Sequence, residues 1–311
     1  MSPRPNRVNP RQQLGLLRLG TRGSALAMAQ SSMVSAMLGG AELVSFSTRG
    51  DRTSGALAEI GGKGLFTAEL EAALRDGQIQ LAVHSAKDMP AQMDSDLVIA
   101  AVPAREDARD VLVSLSGLGP ENLPRGARVG TSSHRRAVEL RELRNDLQAL
   151  PLRGNVETRL RKLHEGQYDA VVLAYAGLKR LGLADELEGM IFPLELNWYV
   201  PAAGQGALAV QCLAADRATR AALKRIDDED SHKALLAERS VVAGLKASCQ
   251  SALGVNVRRI SAQRWRGDAM AADSEGTEIS RVWTESPSAQ QAGRTLLKQL
   301  REAGAEKLLG H

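Results

Sequence analysis

The stretch LLRLGTRGSALAMAQSSMVSAMLGGAELVSFS, residues 16–47, holds the pattern that decides the fold. Leu16–Leu19 predicts a short strand that ends in a turn. Ser24 follows that turn, and because serine caps helices well, we expect a helix from there to about Leu38. A second strand is predicted at Glu42–Ser47. Strand, helix and strand in this order indicate a βαβ unit and a mostly parallel sheet with helices on both faces.

The same alternation continues through the first two thirds of the chain. Further strands are predicted at Leu81–His84, Leu97–Val102, Ala127–Gly130, Asp169–Leu173 and Ala207–Gln211, and further helices at Thr67–Asp76 (capped by Thr67), Ser133–Arg144 and Asn155–Glu165. The pattern restarts after Asp107, so we expect two α/β domains. Pro201–Gly206 predicts a glycine-rich hinge.

The last third of the sequence has a different pattern. Helices are predicted at Asp216–Ile226, Ser231–Leu245 and Ser288–Ala303, with β-like runs at Val255–Ile260 and Arg281–Thr284. This order indicates a third, smaller α+β domain. The leader Met1–Gln13 lacks the apolar segment of a secretory signal and is predicted to be a disordered tail, with an organelle transit peptide as the alternative.

Composition limits the classes of function. The chain has 311 residues, a net charge of only +4 and 3% aromatic residues. Proteins that coat nucleic acid are more basic, and single-strand binders need aromatic stacking platforms. Two cysteines suit a reducing compartment. No apolar run is long enough for a membrane span, and the five histidines lack the spacing of a metal site.

Basic residues recur in short turns rich in Gly, Ser and Thr. These turns are Thr21–Ser24, Thr48–Asp51, Gly61–Gly64, Ser85–Asp88, Gly130–Arg136, Leu152–Arg159 and Leu178–Arg180. A guanidinium beside hydroxyls and free backbone N–H groups binds carboxylates or phosphates well. Several of the turns follow predicted strands, and ligands of open α/β sheets bind at the carboxyl ends of the strands. We therefore expect a site for a small ligand with many negative charges.

Two glycine-rich segments resemble nucleotide loops but fail on spacing. Gly61–Gly64 lacks the spacing of a phosphate loop, and no Ser or Thr follows Lys63. Gly204–Ala209 precedes a strand, whereas the dinucleotide fingerprint follows one. A mobile lid and an interdomain hinge fit these two segments better.

Three individual residues, Asp88, His84 and Cys249, each allow two interpretations, and a fourth, Cys212, allows one. Asp88 is either a capping or ion-paired loop carboxylate or a carboxylate held ionised in a cationic pocket, where it could stabilise a cationic intermediate or exchange a proton. His84 is either a hydrogen-bonded structural residue or a base. Cys212 lies in an apolar run and is predicted to be inert. Cys249 lies in a polar loop near Lys246, where a thiol could be reactive or carry a group.

Eight motifs appear together in the order typical of one enzyme family. They are LGTRGSALA (19–27), TRGD (48–51), GGKGLF (61–66), AVHSAKDMP (82–90), VGTSSHRR (129–136), LRGNVETRL (152–160), LAYAGLKRLG (173–182) and PAAGQGAL (201–208). As a set, they resemble the porphobilinogen deaminases, also called hydroxymethylbilane synthases. The resemblance implies a transferase that joins four porphobilinogens head to tail with loss of ammonia and then releases hydroxymethylbilane by hydrolysis.

The resemblance also implies a domain plan. Two α/β domains similar to the lobes of periplasmic binding proteins would span 14–105 with 204–221 and 106–203, after a tail at 1–13. A third domain at 222–311 would carry a dipyrromethane cofactor, joined by a thioether bond to Cys249. The enzyme is expected to be a cytoplasmic monomer that acts on porphobilinogen without metal, nucleic acid or membrane.

Site residues follow from the same resemblance, position by position. Asp88 matches the main catalytic carboxylate, which hydrogen-bonds pyrrole N–H groups. Cofactor-binding positions match Lys87, Thr131, Ser133, Arg135, Arg136, Arg159 and Arg180, and substrate-binding positions match Arg22, Ser24, Gln30, Arg153 and Arg159. The lid loop matches Gly61, Gly62, Lys63, Gly64 and Phe66. Two rivals remain: a two-lobed binding protein that captures a polyanion without chemistry, and a nucleic-acid binder.

Overall fold

A computed structural model describes residues 17–48, 67–248 and 250–310. Within these ranges the strands are β1 (Arg18–Arg22), β2 (Glu42–Phe46), β3 (Leu81–Ser85), β4 (Leu97–Ala101), β5 (Asp110–Val113), β6 (Arg128–Gly130), β7 (Gln148–Leu150), β8 (Ala170–Ala174), β9 (Ile191–Pro193), β10 (Leu208–Leu213), β11 (Ala252–Ser261), β12 (Arg264–Ala272) and β13 (Ile279–Ser286). The helices in the same ranges are α1 (Ala25–Leu38), α2 (Ala68–Arg75), α3 (His134–Leu143), α4 (Val156–His164), α5 (Tyr175–Arg180), α6 (Leu183–Glu186), α7 (Arg217–Leu223), α8 (Glu229–Gly244), α9 (Ala289–Glu302) and α10 (Ala305–Leu308). The predicted tail at 1–13, the predicted lid at 61–66 and Cys249 lie outside the described residues.

Two five-stranded sheets share one plan. The first has the order β2-β1-β3-β10-β4 and the second β7-β6-β8-β5-β9. In each, four strands run in one direction and the second-to-last strand, β10 or β5, is antiparallel to both neighbours. The prediction of two mostly parallel α/β units is therefore confirmed. We call them domains 1 and 2.

The antiparallel strand of each large sheet, β5 or β10, is the first strand that the chain forms after it has crossed from one large domain to the other. We call the two stretches in which it crosses the crossing segments. The chain leaves domain 1 after β4, passes through residues 102–109 and enters domain 2 as β5; it returns through residues 194–207 and completes domain 1 as β10. The exact domain boundaries stay a prediction.

The third sheet is a small antiparallel one. Its order is β11-β12-β13, and α8 and α9 cover one face of it around a core that includes Val241, Val255, Trp265 and Leu296. This unit, domain 3, confirms the predicted α+β fold of the last third. None of the helices in the described ranges is long and apolar enough to cross a membrane.

Five of the seven predicted helix starts, Ser24, Ser133, Asn155, Asp216 and Ser288, are side-chain caps, whereas α8 begins two residues before the predicted Ser231 and is capped by Asp228. The side chains of Ser24, Ser133 and Asn155 accept hydrogen bonds from the backbone of α1, α3 and α4. The prediction that the Thr67 side chain caps α2 is wrong, because Thr67 already has helical backbone angles and its hydroxyl makes no cap bond. A capping side chain needs an extended backbone to reach the N–H groups of the first turn.

Two glycines allow the crossing segments to touch each other and domain 1. Gly206 has a φ of +83°, and a Cβ there would lie 2.3 Å from the carbonyl oxygen of Glu106. Gly204 has a φ of +75°, and its Cβ would lie 3.0 Å from the backbone of Ala86. Only glycine combines this conformation with such close backbone approach. Whether the segment acts as a hinge stays a prediction.

Glu238 of α8 fastens both crossing segments to domain 3. Its fully buried carboxylate accepts hydrogen bonds from the Arg105 guanidinium at 2.6 Å and from the Gly204 backbone N–H at 2.6 Å. It also accepts one from the backbone N–H of Val257 in β11, at 2.7 Å. Since Arg105 and Gly204 lie in different crossing segments, one carboxylate joins all three domains at the point where the chain passes between them.

His84 and Cys212 have structural surroundings, as predicted. His84, only 5% exposed, lies 3.0 Å from the Gln211 side chain through its Nε2 atom. Burial lowers its pKa to about 4; the hydrogen bond that Nε2 donates to Gln211 Oε1 opposes this shift, and the positive charge of Arg22 adds to it. Cys212 is buried in the core of domain 1, where burial raises the pKa of its thiol to about 11. An inert thiol follows.

The depressed pKa of His84 predicts acid sensitivity. Between pH 6.5 and about 4 the unfolded chain binds a proton on His84 that the folded chain does not. The stability contributed by neutral His84 is thus fully present above pH 6.5 and falls by about 3 kcal/mol as the pH drops to 4. Urea unfolding at several pH values should show this slope, and His84→Gln should flatten it. An ordinary His84 titration by NMR would contradict the assignment.

Candidate active site

Strands of both large sheets lead directly into the predicted site residues. β1 ends at Arg22, and β3 leads into a 3-10 turn at Ala86–Asp88. In domain 2, β6 leads into Thr131 and Ser133, and Arg153 follows β7. The four basic turns expected to follow strands, those at Arg22, Lys87, Arg135 and Arg153, therefore do so. Leu178–Arg180, predicted as a turn, instead forms the end of α5. Arg22 and Arg153 both interact with other groups of the protein, and Arg22 acts electrostatically on His84.

The turn at Ala86–Asp88 is held firmly against the second crossing segment. The backbone N–H of Ala86 donates to the carbonyl of Ala207 at 3.0 Å, and Gly204 packs on Ala86. Just before the turn, Ser85 exchanges hydrogen bonds with Gln30 of α1 at 2.9–3.0 Å. The turn thus has little freedom, which suits a site whose groups must be preorganised.

Lys87 points into an interior of mixed charge. Its ammonium donates to Gln205 Oε1 at 3.3 Å. Burial and the nearby Arg136 lower its pKa to about 8, while Asp88 and Asp110 act in the opposite direction and Arg159 adds further repulsion. Lys87 is therefore still protonated at neutral pH. The neighbouring groups do not fully balance its positive charge, so the ammonium can attract the carboxylate of a ligand.

Asp88 stands among these cations without a bonded partner. Within the part of the chain that the structure describes, its carboxylate forms neither a hydrogen bond nor an ion pair. Its charge nevertheless acts on Lys87 and on Arg159. This favours the cationic-pocket interpretation of Asp88 over the capping or ion-paired one. A half-buried carboxylate with unused acceptor positions can receive N–H groups from a ligand.

Arg135 and Arg136 belong to a buried ion network. Arg135 donates to Asp110 and Glu139 at 2.7 Å, and Arg136 donates twice to Asp110, at 2.6 and 3.0 Å. The two guanidinium groups are 3% and 6% exposed and Asp110 is fully buried. Burial would raise the pKa of Asp110, but these two arginines hold it well below its usual range. Burial raises the pKa of Glu139 to about 7 despite its pairing with Arg135.

The remaining donors of this pair also bond to the protein. Arg135 donates to the carbonyl of Val200 at 2.8 Å and Arg136 to that of Val172 at 3.1 Å. The structure thus gives both arginines an internal role as the support beneath Lys87. Their predicted contact with cofactor carboxylates stays a prediction.

Arg159 and Arg180 are cations with no acidic hydrogen-bond partner among the described residues. Arg159 donates to the carbonyl of Gly154 and Arg180 to that of Gly206, and the Nε of Arg180 is buried without any partner there. Burial lowers the pKa of each to about 10, with repulsion from Arg136 adding to the shift of Arg159. Such groups fit a ligand that brings its own carboxylates.

The hydroxyls predicted for the site have structural partners as well. Ser24 and Ser133 cap helices, and Thr131 Oγ1 accepts from the backbone N–H of Ser133 at 3.2 Å. The loop of domain 3 that contains position 249 meets this region through Gln250, whose carbonyl accepts from His134 Nδ1 at 2.9 Å. The neighbours of Cys249 therefore contact the start of α3, next to Ser133.

Comparison with known proteins decides the family. The family profile described as "Porphobilinogen deaminase, dipyromethane cofactor binding domain" matches residues 17–221. The chain belongs to the porphobilinogen deaminase family. It is 41% identical to the porphobilinogen deaminase of Syntrophobacter fumaroxidans over 94% of this chain and 97% of that protein, and 46% identical to that of Sorangium cellulosum over 86% and 90%.

Membership of the family gives the reaction. Porphobilinogen deaminases are transferases of tetrapyrrole biosynthesis that condense porphobilinogen to hydroxymethylbilane and use a dipyrromethane cofactor.

Among solved structures, the periplasmic aliphatic sulphonate binding protein SsuA from Escherichia coli shares 17% identity at a TM-score of 0.38, over 73% of this chain and 69% of that one.

The half-buried cations fit such a cofactor. Every pyrrole ring of dipyrromethane carries an acetate and a propionate, and Lys87, Arg159 and Arg180 are half-buried donors that lack an acidic hydrogen-bond partner in the described part of the chain. Sequence reasoning missed Asp110 and Gln205, which organise these cations. Their signals were weak: Asp110 begins the short strand β5, and Gln205 lies between glycines that were interpreted as a hinge.

Proposed function

We propose that the residues at the carboxyl ends of β1, β3, β6 and β7 form a site for porphobilinogen condensation, with Asp88 as its catalytic group. The observation that carries this proposal is the Asp88 carboxylate itself, which has no hydrogen-bonded partner among the described residues and lies beside Lys87 and Arg159. The resemblance of AVHSAKDMP to the family motif supports the same residue.

The proposed chemistry of Asp88 is electrostatic and acid–base. Loss of ammonia from the aminomethyl group of porphobilinogen leaves positive charge that spreads to the pyrrole nitrogen. A carboxylate that accepts the pyrrole N–H stabilises this charge as it develops, in a setting that excludes much of the water. The same carboxylate can exchange a proton with the bound substrate.

The cations are proposed to hold carboxylates in two groups. Lys87, Arg159 and Arg180, with Arg135, Arg136, Thr131 and Ser133 around them, would hold the cofactor, and Arg22, Ser24, Gln30, Arg153 and Arg159 would hold the incoming substrate. When bound, dipyrromethane supplies the free pyrrole carbon to which the first porphobilinogen is joined. Cys249 is proposed as its thioether anchor, and Gly61–Phe66 as the lid.

We also propose that the enzyme is a cytoplasmic monomer without nucleic-acid or membrane partners. The balanced charge of +4, the low aromatic content and the presence of only two cysteines support this part of the proposal.

Intact-mass measurement tests the anchor. The purified protein is expected to be heavier than its sequence by the mass of two pyrrole units, and Cys249→Ser is expected to lack that addition because serine offers no thiol for a thioether. Cys212→Ala is the matched control, since Cys212 is buried in domain 1 and should not affect the added mass.

Two results would count against the anchor: an added mass that survives Cys249→Ser, or a wild-type protein with none. A protein that binds porphobilinogen tightly but releases no ammonia would instead support the rival two-lobed binding protein.

A further inference from the structure

Gln205 lies where domains 1 and 2 meet, and its side chain is only 1% exposed. Its amide nitrogen donates to the carbonyl of Ala108 at 2.8 Å and to Asp110 Oδ1 at 2.9 Å. Its amide oxygen accepts from the ammonium of Lys87 at 3.3 Å. The side chain therefore connects the catalytic turn of domain 1 with the buried ion network of domain 2.

These three contacts allow one amide orientation. Turning the amide over would place its oxygen against two acceptors, the Ala108 carbonyl and Asp110, and its NH₂ group against the Lys87 ammonium. Every contact would then pair like with like, and burial makes each such mismatch costly. The Gln205 oxygen is thus fixed in the direction of Lys87.

The backbone of Gln205 is fixed as well. Its carbonyl accepts from Arg105 Nε at 2.8 Å, and its neighbours Gly204 and Gly206 are bonded to Glu238 and to Arg180. Both the start and the end of the side chain are therefore immobilised. Among the described residues, the Gln205 oxygen is also the only hydrogen-bond acceptor of Lys87.

We propose that Gln205 is a positioning residue that keeps the Lys87 ammonium charged and aimed at the carboxylates of the ligand. It does so by transmitting the fixed geometry of Asp110, Arg135 and Arg136 across the domain junction. Gln205 itself need not touch the ligand. This proposal rests on the proposed function in one respect: that function supplies the ligand carboxylate that Lys87 would hold.

The test compares three variants of the holoenzyme with ¹³Cε-labelled lysine, in which NMR follows the titration of Lys87. Gln205→Met keeps the shape of the side chain but removes its hydrogen bonds. Gln205→Glu keeps an oxygen acceptor for Lys87 in either protonation state. Gln211→Met is the matched control, a buried glutamine of β10 that contacts His84 and Glu71. Lys87→Arg assigns the resonance.

The expected result is a lower Lys87 pKa in Gln205→Met alone. The ammonium would lose its acceptor while Arg136 and Arg159 still repel it and Asp88 and Asp110 still attract it. We expect the midpoint to fall by about one pH unit, a tenfold loss of proton affinity. Gln211→Met and Gln205→Glu should not lower it. An unchanged midpoint in folded Gln205→Met, or the same fall in Gln205→Glu, would overturn the proposal.

Turnover and intact mass separate this proposal from the proposed function. Gln205→Met is expected to assemble less cofactor and to show a lower kcat. If the Lys87 midpoint falls while cofactor mass and turnover stay at wild-type values, Gln205 still positions Lys87. In that case it is the role of Lys87 in holding carboxylates that fails.

Discussion

Replacing Asp88 with asparagine is expected to lower kcat by about 10³-fold, the scale on which removal of one preorganised charge-stabilising group acts. Asparagine keeps the size of the side chain and an oxygen that can accept a pyrrole N–H. The loss therefore measures the negative charge rather than the hydrogen bond. Steady-state kinetics of porphobilinogen consumption, with ammonia measured in parallel, would show it.

Stability should change little in the same substitution. Asp88 has no hydrogen-bonded or ion-paired partner among the described residues, so its loss breaks no such bond, and Lys87 and Arg159 lose only the longer-range attraction of its charge. We expect a melting temperature close to that of the wild type, as is common where a residue serves function rather than folding. Asp94→Asn is the matched control, because Asp94 is an exposed carboxylate of domain 1 that pairs with Arg75. Near-normal turnover in Asp88→Asn would remove Asp88 from the mechanism.

The second large effect is predicted at Asp110. Alanine at this position would leave Arg135 and Arg136 buried without the carboxylate that both contact, and Gln205 without one of its two acceptors. Breaking a buried ion pair on one side costs about 3–5 kcal/mol. For a domain of about 100 residues, that is a fall in melting temperature of about 15–25 °C. Calorimetry should show it first in domain 2, and Asp94→Ala should show almost none.

The Asp110 carboxylate should also make the free energy of unfolding depend on pH in the acid range. The folded pKa of Asp110 is depressed, so below about pH 4 the unfolded chain binds a proton at this position that the folded chain does not. Its contribution is present above the unfolded pKa and is lost as the pH falls towards the folded one. Asp110→Ala should therefore weaken the acid dependence of unfolding in that range. An equally steep dependence in the variant would argue against the network.

Local sequence signals sufficed for the order of most elements. Hydrophobic runs and capping residues located α1, α3 and α4, and the βαβ pattern gave the class of the two larger sheets. β7 and β9 are only three residues long, too short for a pattern to show. β12 escaped notice because Arg264 and Arg266 interrupt its apolar alternation.

The chemistry of the site was predictable from the sequence, but not which of its arginines pair with acidic residues of the protein. The motifs predicted that Arg135, Arg136, Arg159 and Arg180 belong to one region, but four arginines look alike in a sequence. Two of them are neutralised by Asp110, about 25 residues away along the chain, and the other two have no acidic hydrogen-bond partner among the described residues. Such long-range pairing depends on which strands become neighbours, which no local pattern encodes.

The antiparallel strand β10 of the first sheet is made after every strand of the second sheet, which affects folding during synthesis on the ribosome. The second sheet is complete once β9 has emerged, since its strands are contiguous in the chain. The first sheet begins earlier but is completed later, because β10 lies between β3 and β4 and is synthesised only after domain 2. At translation rates of about 5–20 residues per second, the roughly 100 residues between them take about 5–20 s. For that time the edges of β3 and β4 stay open in the nascent chain, so domain 1, which is begun before domain 2, is closed after it.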